Sequence, residues 1–206
     1  SIDPFQDYVD GINKFSTCAD YFVINVSSPN TLGLRTLQKK ESLSNLLYRV
    51  KDAIANINTQ SSSPVLVKVA PDISDQDISD ISDVILEYEI DGLIATNTTI
   101  RRSPSLKGKF SNEKGGLSGE PLFLRSTQIL AKFFELTHGK VPLIGVGGVF
   151  SGADAYAKIR AGASLVQLYT AMIYEGPSIV RKINLELADL LRADGYKHIS
   201  DAVGVG

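Results

Sequence analysis

The sequence at residues 65–96 is VLVKVAPDISDQDISDISDVILEYEIDGLIAT. Its β-branched runs, Val65–Ala70 and Gly92–Thr96, are typical of buried parallel strands, and the segment between them has apolar residues at helical spacing. That segment follows Ser74–Asp77, with the sequence SDQD, which resembles a capping box at the start of a helix. A strand, a helix and a strand in this order predict a βαβ unit and therefore a parallel sheet.

The same alternation continues on both sides of this unit. Further apolar runs predict strands at Tyr21–Val26, Leu143–Val146 and Leu165–Tyr169. Apolar stripes predict helices around residues 5–15, 43–57, 78–88, 121–134, 153–161 and 177–191. The sequence contains no sign of a second domain and no repeat other than the βα unit.

Five parallel strands are too few to close a barrel of eight, yet each predicted strand is apolar throughout, as if covered on both faces. A free five-stranded sheet would also expose two apolar edges, which native proteins avoid. We therefore expect an α/β fold, an incomplete TIM (β/α)8 barrel that holds about strands 4 to 8 with their helices. Residues 1–206 are expected to be the C-terminal part of a single barrel domain, with three βα units upstream of Ser1.

Composition limits the classes of function. The chain has 206 residues, a formal net charge of −2 and 43% hydrophobic residues, which suits one domain and gives no sign of a nucleic-acid partner. Cys18 is the single cysteine, so an intrachain disulfide is excluded, and His138 and His198 lie far apart in sequence. We expect no metal site. The longest apolar run, Val141–Phe150, is too short to span a bilayer.

Polar residues follow the predicted strands, at the end where α/β barrels hold their functional groups. Gly147 and Gly148 follow the fourth strand, and Tyr169 and Thr170 lie at the end of the fifth. In barrels that bind phosphate, the loops after strands seven and eight commonly do so, and glycines let backbone N–H groups approach closely. This pair of loops favours a phosphate site; the alternative is that the glycines serve a tight turn.

Lys68 is a charged residue within the apolar run of the second strand. A buried lysine needs a partner, because removing its charge from water is costly. A ligand atom that gains negative charge would serve, as flavin N1 does on reduction. The alternative is a structural ion pair inside the barrel.

Asn25, Asn30 and Asn97 lie at strand ends or loop starts, and their amides both donate and accept hydrogen bonds. Together they favour a pocket for a planar cyclic amide with a carboxylate, although each alone is more often a turn residue. Ser28 has no histidine nearby that could activate it as a nucleophile, so acyl transfer is disfavoured. It could instead relay a proton, with Thr31 as the next member of the chain.

Six motifs occur in a fixed order: NVSSPNT at 25–31, VLVKVAPD at 65–72, DGLIATNTT at 91–99, GGLSGEPL at 115–122, IGVGG at 144–148 and GASLVQLYT at 162–170. Together they resemble the class 2 dihydroorotate dehydrogenases over nearly the full chain. Ser28 is the distinguishing residue, since class 1 relatives place cysteine there. Serine goes with the membrane-associated class that uses quinone.

The resemblance implies oxidation of dihydroorotate to orotate in pyrimidine biosynthesis, with FMN as hydride acceptor and ubiquinone as terminal acceptor. In that family the residue matching Ser28 is the base that removes the C5 proton. The residues that match substrate contacts are Asn25, Asn30, Asn97 and Thr98. Those that match flavin contacts are Asn25, Lys68, Thr96, Gly119, Gly147, Gly148, Tyr169 and Thr170.

The resemblance also implies a location and partners. We expect the mitochondrial inner membrane, with a bacterial cytoplasmic membrane as the alternative, and membrane association through a segment upstream of Ser1. Nucleic acid and metal are not expected as partners. The isolated chain is expected neither to bind FMN tightly nor to turn over substrate.

Two other hypotheses compete. A different FMN-dependent barrel, such as a tRNA dihydrouridine synthase, would need a catalytic cysteine and a basic surface, and Cys18 precedes the first strand, where it cannot serve. A non-catalytic fragment acting as an interaction module is the second. The intact series of chemically competent residues argues against it.

Overall fold

A five-stranded parallel sheet forms the centre of the molecule, whose computed structural model describes residues 3–57, 63–104 and 106–206. The strands are β1 (Phe22–Asn25), β2 (Val65–Val69), β3 (Gly92–Ala95), β4 (Leu143–Val146) and β5 (Ala163–Gln167). They are hydrogen-bonded in the order in which they occur along the chain, and every neighbouring pair is parallel. The parallel sheet predicted from the sequence is confirmed.

Helices alternate with these strands. They are α1 (Pro4–Phe15), α2 (Lys40–Ala55), α3 (Asp75–Glu87), α4 (Phe123–Leu136), α5 (Gly152–Arg160), α6 (Thr170–Glu175) and α7 (Ile179–Ala193). Short 3-10 helices lie at Leu34–Gln38, Glu120–Leu122 and Ile199–Ala202. The sequence did not predict α6 or these short helices, because none of them is long enough to show a helical apolar period.

The predicted start of the fifth strand is wrong by two residues. β5 begins at Ala163, which pairs with Leu143, and not at Leu165. Ala163 and Ser164 are neither β-branched nor aromatic, so strand propensity does not mark this start. The strand also ends earlier, at Gln167.

The helix after β2 begins as the sequence predicts. Ser74 is the N-cap of α3: its Oγ accepts a hydrogen bond from the N–H of Asp77, and the Asp77 carboxylate accepts one from the N–H of Ser74, both at 3.1 Å. Such a cap stabilises a helix by about 1 kcal/mol. It fixes the start of α3 directly after the loop that carries Asp72 past the end of β2.

The two faces of the sheet are packed differently. On one face, residues such as Val67 and Phe133 join a continuous apolar core between the strands and the helices. The other face carries a smaller cluster, formed by Leu66, Ile94 and Ile144. Side chains alternate along a strand, so Lys68 lies on the same face as Leu66. That face leads to the candidate site.

Two long connections lie at the C-terminal edge of the sheet, one after β1 and one after β3. The second is closed at its base by Thr99 and Leu117, whose backbones exchange two hydrogen bonds of 3.0 and 2.7 Å. Arg102 Nη2 donates to the carbonyls of Glu113 and Gly115, both at 2.7 Å, and braces the rest of the loop. These contacts hold the end of the loop, at Gly115, close to the C-terminal edge of the sheet.

Candidate active site

A cavity of about 310 Å³ opens at the C-terminal edge of strands β2 to β5. Its volume lies at the lower end of the range found for small-molecule sites. The predicted site residues that line it are Lys68, Thr96, Asn97, Thr98, Gly119, Gly147, Gly148, Tyr169 and Thr170. Residues from four different strand ends therefore share one cavity, while Asn25, Ser28 and Asn30 lie outside it.

The loop after β4 lies between the cavity and the start of α4. Gly147 and Gly148 have positive φ angles of 117° and 74°, which favour glycine. A Cβ added to Gly148 would lie 2.5 Å from Cβ of Phe123, and one added to Gly147 would lie 2.7 Å from Oγ of Ser126. The glycines are thus required by the turn and by close packing from behind. At these two positions the loop has no side chain to present to the cavity that it lines.

A second contact joins the end of β5 to the loop that returns after β3. Thr170 Oγ1 donates to Oγ of Ser118 at 2.9 Å. A Cβ added to Gly119, whose φ is 78°, would lie 3.2 Å from Cγ2 of Thr170. The two chain segments therefore meet directly at the rim of the cavity.

Lys68 lines the cavity at the end of β2. In the register of the sheet it is paired with Asn25 of β1. Burial lowers the pKa of its ammonium group. Among the residues that the structure describes, no carboxylate forms an ion pair with it. The structural ion pair considered as an alternative is therefore not found in this part of the chain.

A network of amides and hydroxyls joins the ends of β1 and β3. The Oδ1 atom of Asn25 accepts from Oγ of Ser27 at 2.9 Å and from Nδ2 of Asn97 at 3.4 Å. Asn97 Nδ2 also donates to Oγ of Ser27 at 3.1 Å, and its Oδ1 accepts from the N–H of Thr98 at 2.7 Å. Ser27 is fully buried, and the sequence analysis did not single it out.

Ser28 lies in the next position of the same loop and is half-buried. Its Oγ accepts a hydrogen bond from the N–H of Asn30 at 3.2 Å. Asn30 is exposed, and a Cβ added to Gly115 would lie 3.6 Å from its Oδ1. No hydrogen bond joins Ser28 to Thr31 within the described residues; Thr31 instead lines a neighbouring cavity of about 610 Å³.

Arg35, which no sequence motif indicated, connects three loops through its guanidinium. Its Nε donates to the carbonyl of Ser27 at 3.1 Å, and its Nη2 donates to the carbonyl of Thr98 at 2.9 Å. Its Nη1 forms an ion pair of 2.8 Å with Asp72. The loops after β1, β2 and β3 are therefore held at one point.

Asp72 completes this connection. Its carboxylate accepts from Oγ1 of Thr99 at 2.5 Å and from the N–H of Ile100 at 2.9 Å. Burial alone would raise the pKa of Asp72, but the hydrogen bonds from Thr99, Ile100 and Arg35 hold it below its ordinary value. Asp72 is therefore ionised at neutral pH. Arg35 and Asp72 are 37 positions apart, so no local sequence pattern links them.

Within residues 3–57, 63–104 and 106–206, no group of three or more histidine, cysteine, aspartate or glutamate side chains lies close enough together to hold a metal ion. None of the helices in these ranges is both long and apolar enough to cross a membrane.

Comparisons with known proteins agree with one another. The family model described as Dihydroorotate dehydrogenase matches residues 2–191. The dihydroorotate dehydrogenase (quinone) of Rhodospirillum rubrum is 52% identical over 202 residues, which are 98% of this chain and 55% of that protein. The mitochondrial dihydroorotate dehydrogenase (quinone) of Mus musculus is 50% identical over 205 residues, which are 100% of this chain and 52% of that protein.

A solved structure is similarly close. The crystal structure of DHODH from Eimeria tenella in complex with ferulenol superposes with a TM-score of 0.96 at 40% identity, over 100% of this chain and 58% of that chain. The chain spans about half the length of the curated relatives it matches. The five strands with their helices therefore correspond to part of a TIM barrel, as the sequence predicted.

Proposed function

The chain belongs to the dihydroorotate dehydrogenase family, and on that premise we propose that the protein carrying it oxidises dihydroorotate to orotate in pyrimidine biosynthesis. One observation carries the proposal. Lys68, Asn97 and Gly148 line one cavity at the C-terminal edge of the sheet, and Ser28 lies in the adjoining loop. Quinone is the proposed terminal acceptor, because the relatives are named for it.

The cavity suits FMN. A half-buried lysine without a carboxylate partner in the described chain, a glycine loop that lines the cavity and the neutral amide of Asn97 are groups that suit a flavin and its phosphate. The residues proposed to hold FMN are Asn25, Lys68, Thr96, Gly119, Gly147, Gly148, Tyr169 and Thr170. Bound FMN supplies a hydride acceptor, which no amino-acid side chain provides.

The amide network suits the substrate. Asn25, Asn97 and Thr98 present donors and acceptors at the ends of neighbouring strands, and a planar cyclic amide with a carboxylate requires both. Asn30 is the fourth proposed contact, on the loop that faces Gly115. These amides bond to one another and to Ser27, so a substrate held by them would exchange those bonds for bonds to itself.

Ser28 is the proposed base, acting on the C5 proton of the substrate. A serine hydroxyl is a weak base at neutral pH, so as Oγ takes up the C5 proton its own hydroxyl proton must pass to water, and its environment must stabilise the negative charge that develops on Oγ. The N–H of Asn30, which donates to this atom, provides one such hydrogen bond. The half-buried position of Ser28 also reduces competition from water.

The proposed setting follows from the acceptor. A quinone is a membrane-soluble molecule, and the matching relatives include mitochondrial and bacterial proteins. We place the protein at the mitochondrial inner membrane, with a bacterial cytoplasmic membrane as the alternative. Membrane contact is assigned to a segment outside residues 1–206, which form the C-terminal part of one FMN-binding barrel domain.

The direct test uses the full-length protein. We expect it to purify with FMN, to lose the flavin absorbance when dihydroorotate is added without oxygen, and to recover that absorbance when quinone is added. The isolated 206-residue chain should do neither. A full-length protein whose flavin is not reduced by dihydroorotate would contradict the proposal.

The same test separates the competing flavin enzyme. A tRNA dihydrouridine synthase would need a cysteine at the cavity, but Cys18 is exposed and precedes β1, at the opposite edge of the sheet. Oxidation of the reduced flavin by a uridine-containing tRNA, together with no reduction of the oxidised flavin by dihydroorotate, would favour that enzyme.

A further inference from the structure

Lys158 lies on α5, directly behind the loop that carries Gly147 and Gly148, and its side chain is fully buried. Its Nζ donates to Oγ of Ser126 at 2.6 Å and lies 5.0 Å from the centre of the Phe123 ring. A Cβ added to Gly145 would lie 3.1 Å from Cβ of Lys158, so the aliphatic stem packs tightly on β4. The ammonium group is therefore held in one place.

This buried cation has no anionic partner in the described part of the chain. Asp154 lies four residues earlier on α5, but its carboxylate accepts from the N–H of Phe150 at 3.0 Å and from Oγ of Ser151 at 2.8 Å. Burial lowers the pKa of Lys158 to about 7, and the charge of Asp154 acts in the opposite direction. The side chains that face Nζ from α4, Phe123 and Ser126, are uncharged.

A purely structural role does not explain the choice of lysine. A neutral side chain of the same length would fill the space without the free energy of desolvating a charge. A buried ammonium is understandable if an anion joins it in the functional state. The cavity lies in front of the Gly147–Gly148 loop and is open to a ligand, so an anion can be bound there.

The ammonium reaches the loop through the start of α4, where Nζ also donates to the carbonyl of Phe123 at 3.5 Å. Ser126 Oγ, which accepts from Nζ, is 3.3 Å from the carbonyl oxygen of Gly147. Gly147 and Gly148 in turn line the cavity. In a buried region the attraction between charges is weakened less than at the surface, so an ammonium behind the loop acts on an anion in front of it.

We propose that Lys158 is a positioning residue for the cofactor: it braces the Gly147–Gly148 loop through Ser126 and supplies the positive charge that a phosphate monoester in the cavity requires. This inference rests on the proposed function, because the phosphate is that of FMN. By linkage, a phosphate that favours the protonated lysine is itself bound more tightly by the protonated lysine, by the same factor. One pKa unit of coupling corresponds to about tenfold in affinity.

The test compares FMN with riboflavin, which lacks the phosphate, on the full-length protein after removal of bound flavin. At neutral pH, Lys158→Met should weaken FMN binding about tenfold or more while changing riboflavin affinity less than about twofold. Lys132→Met, on the exposed face of α4, is the matched control and should change neither. Equal losses for the two ligands in Lys158→Met, or no loss, would overturn the proposal.

A second measurement does not depend on any variant. Calorimetry of the unmodified protein in buffers of different ionisation enthalpy, at about pH 7.5, should show that FMN binding takes up more protons than riboflavin binding, because the phosphate is already largely a dianion there. Equal proton uptake for the two ligands would contradict the role of Lys158. If the unmodified protein binds neither ligand, the proposed function fails and the inference fails with it. If it binds both ligands, but Lys158→Met weakens them equally and their proton uptake is equal, the inference alone fails.

Discussion

The two halves of the candidate site are built by different means. Around the β4 and β5 ends, the cavity wall includes a glycine loop that packs against α4, with a buried lysine behind it, and side chains such as Thr170. Around the β1 and β3 ends, the groups are side chains that bond to one another, as in the contact between Asn97 and Ser27. The first half is set by steric fit, and the second by exchangeable hydrogen bonds.

This difference assigns different tasks to the two halves. Close packing restricts the conformation of the glycine loop, which suits a rigid site for the proposed phosphate. A substrate held by the amide network, as proposed, would replace some of its internal hydrogen bonds, and each exchange has a small net free energy of about 1 kcal/mol. Changes in the first half should therefore affect cofactor retention and folding, and changes in the second should affect substrate affinity and rate.

The strongest test of the second half is Ser28→Ala. Loss of the proposed base should slow flavin reduction by dihydroorotate about 100-fold or more and leave substrate affinity near normal, since the interaction belongs to the transition state. Rapid-mixing absorbance without oxygen measures both quantities. The matched control is Ser27→Ala, which removes a buried hydroxyl from the amide network and should weaken substrate binding more than it slows the reaction. An unchanged reduction rate in Ser28→Ala would remove the base assignment.

The strongest test of the first half is Gly148→Ala. The added Cβ would meet Phe123 at 2.5 Å, so we expect a loss of about 2 kcal/mol or more in unfolding free energy and loss of bound FMN. Gly195→Ala is the control, because Gly195 has a similar φ of 82° but nothing within 4 Å of an added Cβ. It should cost about 1 kcal/mol and leave FMN in place. Denaturant titration and flavin content after purification give the two readouts.

The link between the halves can be tested at Asp72. Asp72→Asn leaves Arg35 without its carboxylate, so we expect a loss of about 1–3 kcal/mol and a raised KM for dihydroorotate, with FMN retained. Because the folded pKa of Asp72 is lowered, its stabilising effect is fully present above the unfolded pKa and is lost as pH falls through the folded pKa. The stability difference between the two proteins should therefore shrink below about pH 4.

The control for this substitution is Asp83→Asn, which breaks an exposed ion pair with Lys40. Its effect on unfolding should stay below about 1 kcal/mol. Equal effects of the two substitutions would show that Asp72 has no special role in holding the loops.

Most of the fold could be predicted from the sequence, and so could the position of the site at the strand ends. The β-branched runs predicted the parallel sheet, because buried strands need continuous apolar residues, and the strand ends then placed Lys68 and Gly148 at one edge. The start of β5 at Ala163 was not predictable in this way, since alanine has no strand propensity.

The supporting residues could not be recognised from local pattern. Arg35 and Asp72 meet only because three loops fold over the same edge of the sheet. Lys158 has the sequence environment of an ordinary helical lysine, and its burial becomes visible only when Gly145 and Ser126 pack around it. The roles of the named site residues remain predictions that the experiments above address.

The last prediction compares two lysines, Lys68 and Lys158, by the effect of replacing each on flavin affinity. Lys68 faces the cavity directly, whereas Lys158 lies behind its phosphate end, and burial lowers the pKa of both. Lys68→Met should weaken FMN and riboflavin equally, by about tenfold, because the proposed contact is with the ring system and not with the phosphate. Lys158→Met should weaken FMN alone. Titration of flavin fluorescence with both variants measures the two ratios. If Lys68→Met weakened FMN binding more than riboflavin binding, the proposed assignment of Lys68 to the flavin ring and of Lys158 to the phosphate would be wrong.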